Sequence, residues 1–88
     1  MQVKAIHYNQ DFEKQFRYLP LDVRRKAVKA EKLFRDNPFH HSLRLHKLKG
    51  KLLGLWSISI DRNFRLLYSE DEHSIYFFDI GTHDQVYK

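Results

Sequence analysis

Leu55-Trp56-Ser57-Ile58-Ser59-Ile60-Asp61-Arg62-Asn63-Phe64-Arg65-Leu66-Leu67-Tyr68 is the stretch on which the fold turns. Apolar and polar residues alternate through Trp56, Ser57, Ile58, Ser59 and Ile60, and a second run of strand formers begins at Phe64. The Asp61-Arg62-Asn63 cluster between them makes the whole a β-hairpin signal. Asp and Asn suit the turn because their side chains bond the neighbouring main chain and tolerate left-handed backbone. With Trp56, Ile58 and Ile60 facing a core, Ser57 and Ser59 face the other way. On the return strand Arg65 alternates with Phe64, Leu66 and Tyr68. A permanent charge there is costly unless it meets an anion, water or a carboxylate. Either of two partners on the chain, Asp61 or Asp79, could pair with it; the other reading is that Arg65 belongs to a site.

Upstream, Met1 to Tyr8 reads as a short strand whose buried side the pattern leaves undecided. Asn9 can cap a helix starting at Gln10, with Phe12, Phe16 and Leu19 on one face. Pro20 opens a second helix that buries Leu19, Val23, Ala27, Ala30 and Phe34 and stops at Asn37-Pro38. Its other face carries Arg24, Arg25, Lys26, Lys29, Lys32 and Arg35, a solvated face or an RNA or ribosome contact surface. Phe39 to Gly54 reads as extended, anchored by Leu43, Leu45 and Leu48 and turned at Gly50 and Gly54. Ser74 to Ile80, apolar on both faces, reads as a central strand broken by Gly81 and followed by a tail. The predicted fold is α+β in the order β-α-α-β-β-β: an antiparallel sheet with two N-terminal helices on one face and the other face open.

The 88 residues suffice for one small domain with a modest core, 42% hydrophobic and 15% aromatic. With no cysteine, disulfides and thiolate metal ligands are excluded. The chain opens without an apolar signal core and has no run of membrane-spanning length, so the expectation is a cytoplasmic protein with no membrane association. The net charge of +5 favours polyanionic or acidic partners. It is also unevenly spread: no acidic residue lies between Asp36 and Asp61, whereas Arg44, Lys47, Lys49, Lys51 and His40, His41 and His46 do. A basic, partly aromatic sheet face of this kind can hold single-stranded nucleic acid through phosphate contacts and stacking. Adjacent His40 and His41 point apart on an extended chain and do not make a metal pair, so no metal or cofactor is expected. Ser57 and Ser59 lack the strand-to-helix elbow of a serine nucleophile, and His7 and His73 read as incidental.

Four stretches in order carry a family resemblance: Asn37-Pro38-Phe39-His40; Leu43-Arg44-Leu45-His46-Lys47-Leu48-Lys49-Gly50; Trp56-Ser57-Ile58 through Phe64-Arg65-Leu66-Leu67-Tyr68; and Gly81-Thr82-His83. Across nearly its whole length the chain resembles the RelE/ParE toxin superfamily of type II toxin-antitoxin modules. It is closest to the RelE-like branch that includes the YafQ-type mRNA interferases. The resemblance implies a metal-free endoribonuclease that cuts translated mRNA in the ribosomal A site and so inhibits translation, silenced by a cognate antitoxin in a hetero-oligomer. It matches His83 to a catalytic tail histidine, His46 to a histidine of the basic segment, Arg65 to an arginine of the third strand, and Tyr87 to a tail aromatic. Where the YafQ type has a histidine and an aspartate in the hairpin, this chain has Ser59 and Asn63.

On that reading His83 transfers a proton, as acid to the leaving oxygen, and His46 is a base or a phosphate donor. Arg65 grips the scissile phosphate, and Arg44, Lys47, Lys49, Lys51 and Tyr87 bind RNA. The products would carry 2′,3′-cyclic phosphate and 5′-hydroxyl ends. The rival expectations are a ParE-like toxin that poisons DNA gyrase without nuclease activity, and a degenerate, non-toxic binding module.

Overall fold

The structure is a computed structural model and describes residues 5–87. Strand β1 (Ala5–Tyr8) leads into helices α1 (Gln10–Arg17) and α2 (Leu21–Asp36). Strand β2 (His46–Lys47) follows, then β3 (Trp56–Ser59), β4 (Phe64–Glu70), β5 (Ser74–Thr82) and a last helical turn, α3 (His83–Val86). The strands form one sheet in the order β1-β5-β4-β3-β2.

The helices begin where the sequence predicts. The Asn9 side chain accepts the Phe12 amide at 2.7 Å, satisfying one of the orphan donors at the start of α1. Pro20 stands at the entry to α2, and the Asn37 amide closes it on the Leu33 carbonyl at 2.8 Å. Both helices press on one sheet face. Phe12, Ala27, Ala30 and Phe34 meet Ile58, Leu66, Tyr68, Ile75, Phe77 and Ile80 there. Phe34, 1% exposed, sets its ring edge-on to Tyr68 at 5.0 Å and to Phe77 at 6.0 Å, a geometry that aligns ring edges with ring faces.

The hairpin is held as its turn residues imply. The Asp61 carboxylate accepts the amides of Asn63 and Phe64, both at 2.8 Å, while the Ile60 amide reaches the Phe64 carbonyl at 2.9 Å. Register then fixes the faces, because directly paired residues project to the same side. Ile58 pairs with Leu66 and Leu66 with Ile80 on the helix side, while Ser59 pairs with Arg65 and Arg65 with Gly81 on the other.

Five features depart from the sequence reading. The sheet is mixed rather than wholly antiparallel, since β1 runs parallel to β5, with Ile6 opposite Ile75. β4 occupies one edge of β5, so the free edge is where the N-terminal strand can find a ladder; its residues 1–4, included in the predicted strand, lie outside the described ones. Gly81 does not break β5, which continues through Thr82. The tail is a helical turn, because Thr82 and Gln85 form a reciprocal capping box, Gln85 amide to Thr82 Oγ1 at 3.3 Å and Thr82 amide to Gln85 Oε1 at 2.8 Å. The face away from the helices is not open throughout. A second small core of Leu48, Leu67 and Val86, joined by Leu52, Leu55 and Tyr87, covers part of it. Leu52, Leu53 and Leu55 come from a turn rather than an extended segment, with 3₁₀ bends at His41–Leu43 and Gly50–Leu52. Among the described residues no helix is long and apolar enough to cross a membrane.

Asp61 also reaches Lys26 on α2 at 3.4 Å. Burial pushes its carboxyl upward, but the two turn amides and the Lys26 ammonium outweigh this and hold it below the usual carboxylate range. A carboxyl depressed in the folded state adds stability above its unfolded pKa and loses it as pH falls through the folded value. The thermal midpoint of the wild-type protein is therefore expected to fall on acidification below about pH 4, the ordinary carboxylate range. Asp61→Asn, read by circular dichroism melts at successive pH values, should show a smaller share of that fall.

Candidate functional site

Arg65 sits near the middle of the sheet face opposite the helices, and among the described residues its guanidinium is bound without a counter-ion. Nε donates to Ser57 Oγ at 2.9 Å, and Nη2 approaches the Arg44 carbonyl at 3.4 Å and His46 Nδ1 at 3.5 Å, the outer limit of a hydrogen bond. Neither carboxylate foreseen as a partner pairs with it. Asp61 is spent on its own turn and Lys26, and Asp79 accepts Gln15 Nε2 at 2.6 Å. Among the described residues no acid lies within ion-pair distance of Arg65.

Ser57 is fully buried and serves as a junction. Its hydroxyl meets Arg65 on one side and the Tyr87 hydroxyl, at 2.5 Å, on the other. Tyr87 in turn stands edge-on to the His83 imidazole, with ring centroids 4.4 Å apart. A continuous run of contacts thus links His46, Arg65, Ser57, Tyr87 and His83. Two backbone devices and one packing contact hold it. Arg44 adopts the left-handed region (φ 46, ψ 49), which turns its carbonyl toward Arg65. For a residue with a Cβ that conformation costs about 1–2 kcal/mol. The Asn63 carbonyl accepts the His83 amide at 3.2 Å, tying the tail to the hairpin turn. Val86, buried against Leu48 and Leu67, anchors the last turn from beneath.

The Arg65 contact bears on the tautomer of His46. A ring nitrogen that accepts from a guanidinium carries no proton, so neutral His46 bears its proton on Nε2 and presents a donor outward. Of its two foreseen roles, the contact favours the phosphate donor. The His83 ring is 71% exposed and lies 3.6 Å from the Asp84 carboxylate, itself open to water, a pairing worth little in energy.

The remaining basic residues divide. Arg44, Arg62 and Arg65 share a polar basin of about 280 Å³ with Ser42 and Ser59. Lys49 and Lys51 are exposed around the Gly50 bend. Lys47 is turned away: it pairs with Trp56, the rung next to that of His46 with Ser57, and its ammonium lies 5.7 Å from the Trp56 ring. His7 stacks on Tyr76 and His73 lies beside Glu72, so the partners of both lie outside this run of contacts. Sequence reasoning missed Arg62, which it read only as a turn residue, and Ser57, which it placed on an open face. No pattern in the sequence announces a serine that caps an arginine eight residues away. Ser59 is likewise mostly buried, bonding the Asp61 carbonyl at 2.8 Å.

A roomier apolar groove of about 430 Å³ lies on the helix side, lined by Phe12, Phe16, Ala27, Val28 and Phe77 among others. Glu13 and Glu31 are matched there by Arg17 and Arg24, so the groove lacks the excess positive charge that draws RNA. Among the described residues no group of three or more His, Cys, Asp or Glu side chains is arranged to hold a metal ion.

On the sheet face away from α1 and α2, Arg65 is thus linked to His46 and, through Ser57 and Tyr87, to His83. The sequence matches, over residues 4–88, the family described as bacterial toxin of type II toxin-antitoxin system, YafQ. The chain belongs to that family. A comparison with curated protein sequences finds no match. Among solved structures, YafQ from E. coli strain BL21(DE3) superposes with a TM-score of 0.76 at 19% identity, covering 98% of this chain and 100% of that one. A YoeB/ParE toxin from Agrobacterium tumefaciens gives 0.74 at 15% identity, covering 90% and 98%. The E. coli DinJ-YafQ toxin-antitoxin complex gives 0.73 at 20% identity, covering 97% and 98%.

Gly81 opposes Arg65 in the sheet and leaves room for the capping side chain. A Cβ there would stand 2.6 Å from Gln85 Oε1. Gly81→Ala should therefore displace Gln85 and undo the capping box, at a cost of about 1 kcal/mol. Amide exchange is expected to quicken over residues 83–87 while that of β3 and β4 stays as in the wild type.

Proposed function

We propose that this toxin is an endoribonuclease that cuts mRNA by transesterification, without a metal, and so arrests translation. The observation that carries the reading is the unbroken line of contacts from His46 through Arg65, Ser57 and Tyr87 to His83, centred on a guanidinium with no acid partner among the described residues. Cleavage of this kind needs donors for the charge that grows on the phosphate and a proton for the departing 5′-oxygen. Arg65 supplies the fork of donors, and His46 adds its outward N–H. His83, exposed at the end of the line, is the acid. Arg44, Lys49 and Lys51, and the newly found Arg62, guide the RNA backbone as point charges or short forks. Lys47, held over Trp56, has a weaker claim to that role.

The 2′-oxygen attacks phosphorus, the bond to the 5′-oxygen breaks, and the products carry a 2′,3′-cyclic phosphate and a 5′-hydroxyl. With Ser59 and Asn63 where the YafQ type has a histidine and an aspartate, the chain offers few groups able to take the 2′-proton. That deficit favours a ribosome-bound mRNA in the A site as substrate, with the ribosome imposing the attack geometry. The proposed setting is the cytoplasm. The proposed restraint is a cognate antitoxin in a hetero-oligomer, as in the solved DinJ-YafQ complex. An acidic amphipathic antitoxin segment has the charge to cover the basic face or to displace the tail.

The test is brief induction in cells followed by mapping of transcript ends. Cuts at fixed codon positions bearing 5′-hydroxyls are expected. Ends bearing 5′-phosphates would overturn the chemistry, DNA damage with filamentation would identify a gyrase poison, and unaffected growth would identify a non-toxic binding module. His83→Ala should relieve growth arrest, and Arg65→Lys, which keeps the charge but loses the fork, should slow cutting roughly a hundredfold to a thousandfold.

A further inference from the structure

We infer that Ser57 is a positioning residue that sets the direction of the Tyr87 hydroxyl, making Tyr87 a hydrogen-bond donor to the RNA held by Arg65. The inference rests on the nuclease reading above and follows from a count of protons. Ser57 Oγ has one hydrogen and two lone pairs. Arg65 Nε can only donate, so at 2.9 Å it takes one lone pair. The other partner of the Ser57 hydroxyl is Tyr87 Oη at 2.5 Å, and the serine is 0% exposed, so water cannot serve it. Were Tyr87 to donate inward, the serine hydrogen would be buried with no acceptor, the costlier of the two arrangements. Ser57 therefore donates to Tyr87, and the phenolic hydrogen points away from the protein interior.

The same serine orients the guanidinium. With Nε committed to Ser57 and Nη2 turned toward the Arg44 carbonyl and His46, the Nη1 end of the fork is left for a phosphate. One buried hydroxyl thus aligns two outward donors, a guanidinium and a phenol, on a single anion. A tail aromatic that merely stacked or pinned α3 would need no hydroxyl at all, and Phe would replace it without loss.

The experiment is a double-mutant cycle on RNA cleavage, with nuclear magnetic resonance as a readout independent of activity. In the wild-type background Tyr87→Phe should lower kcat about tenfold to a hundredfold with little change in KM, the loss expected for one hydrogen bond to a charged group. In the Ser57→Ala background the same substitution should cost much less, because the phenol is no longer aimed. The Arg65 Nε–H resonance should exchange slowly with water in the wild type and rapidly in Ser57→Ala, and should stay slow in Tyr87→Phe, which also serves as the variant whose core is untouched. Equal factors for Tyr87→Phe in both backgrounds, or no effect of Tyr87→Phe on the wild type, would overturn the inference while leaving the nuclease reading intact. A wild-type protein that cuts no RNA defeats the nuclease reading instead, and the exchange of Arg65 Nε–H then still decides whether Ser57 holds the guanidinium.

Discussion

The antiparallel ladder between β4 and β5 is the constraint from which the rest follows. It runs from Phe64 opposite Thr82 to Glu70 opposite Ile75, with one irregularity beside Leu67. Both of its faces are covered, one by the helices through Leu66, Tyr68, Phe77 and Ile80, the other at Leu67 by Leu48 and Val86. A slip of one residue would carry Leu66 and Tyr68 out of the main core and drive Arg65 into it. The same register that buries the aromatic cluster therefore puts the guanidinium on the far side, opposite a glycine, beside the start of the tail helix.

That arrangement is economical in its polar bonds. The sheet face around Arg65 is buried enough to exclude most water from Ser57 and Ser59, yet each of these hydroxyls has a partner. Low surrounding polarity strengthens such bonds and penalises any left unmade. The cation itself is the exception, with no carboxylate partner among the described residues. Gln15 plays a comparable structural part on the other side of the sheet, where β1 has ended: its amide accepts from Ile80 at 3.1 Å and donates to Asp79, standing in for a missing strand.

Much of this was legible in the sequence, and the misses have identifiable causes. Asn9, Pro20 and Asn37-Pro38 punctuate the helices because capping and ring closure are local effects, and Asp61 marks the hairpin for the same reason. The parallel pairing of β1 was hidden, since its partner Ser74–Phe77 lies far along the chain and its own alternation is ambiguous. The Thr82-x-x-Gln85 box was present as a local signature, but so short a helix leaves no periodicity to reinforce it. At the site, Arg65, His46, His83 and Tyr87 were each identifiable by type and by family likeness. Their connection was not, because it runs through Ser57, on the face where Leu48, Leu67 and Val86, distant in the sequence, gather into a second small core. The left-handed Arg44 was invisible for a related reason, as arginine has no preference for that backbone and is held there by its surroundings.

Because β5 and α3 are made after the other elements, every element that gathers the candidate site must wait for them. Until then β1 lacks its edge, Ser57 lacks its cover, and the line from Arg65 stops short. Long-range closure of this sort is slow compared with helix formation. A nascent or prematurely terminated chain would hold a helical hairpin and a bare ribbon of strands, with the arginine solvated and aimed at nothing. A toxin whose candidate site closes only once β5 and α3 have joined the sheet holds no assembled site while it is still partly made.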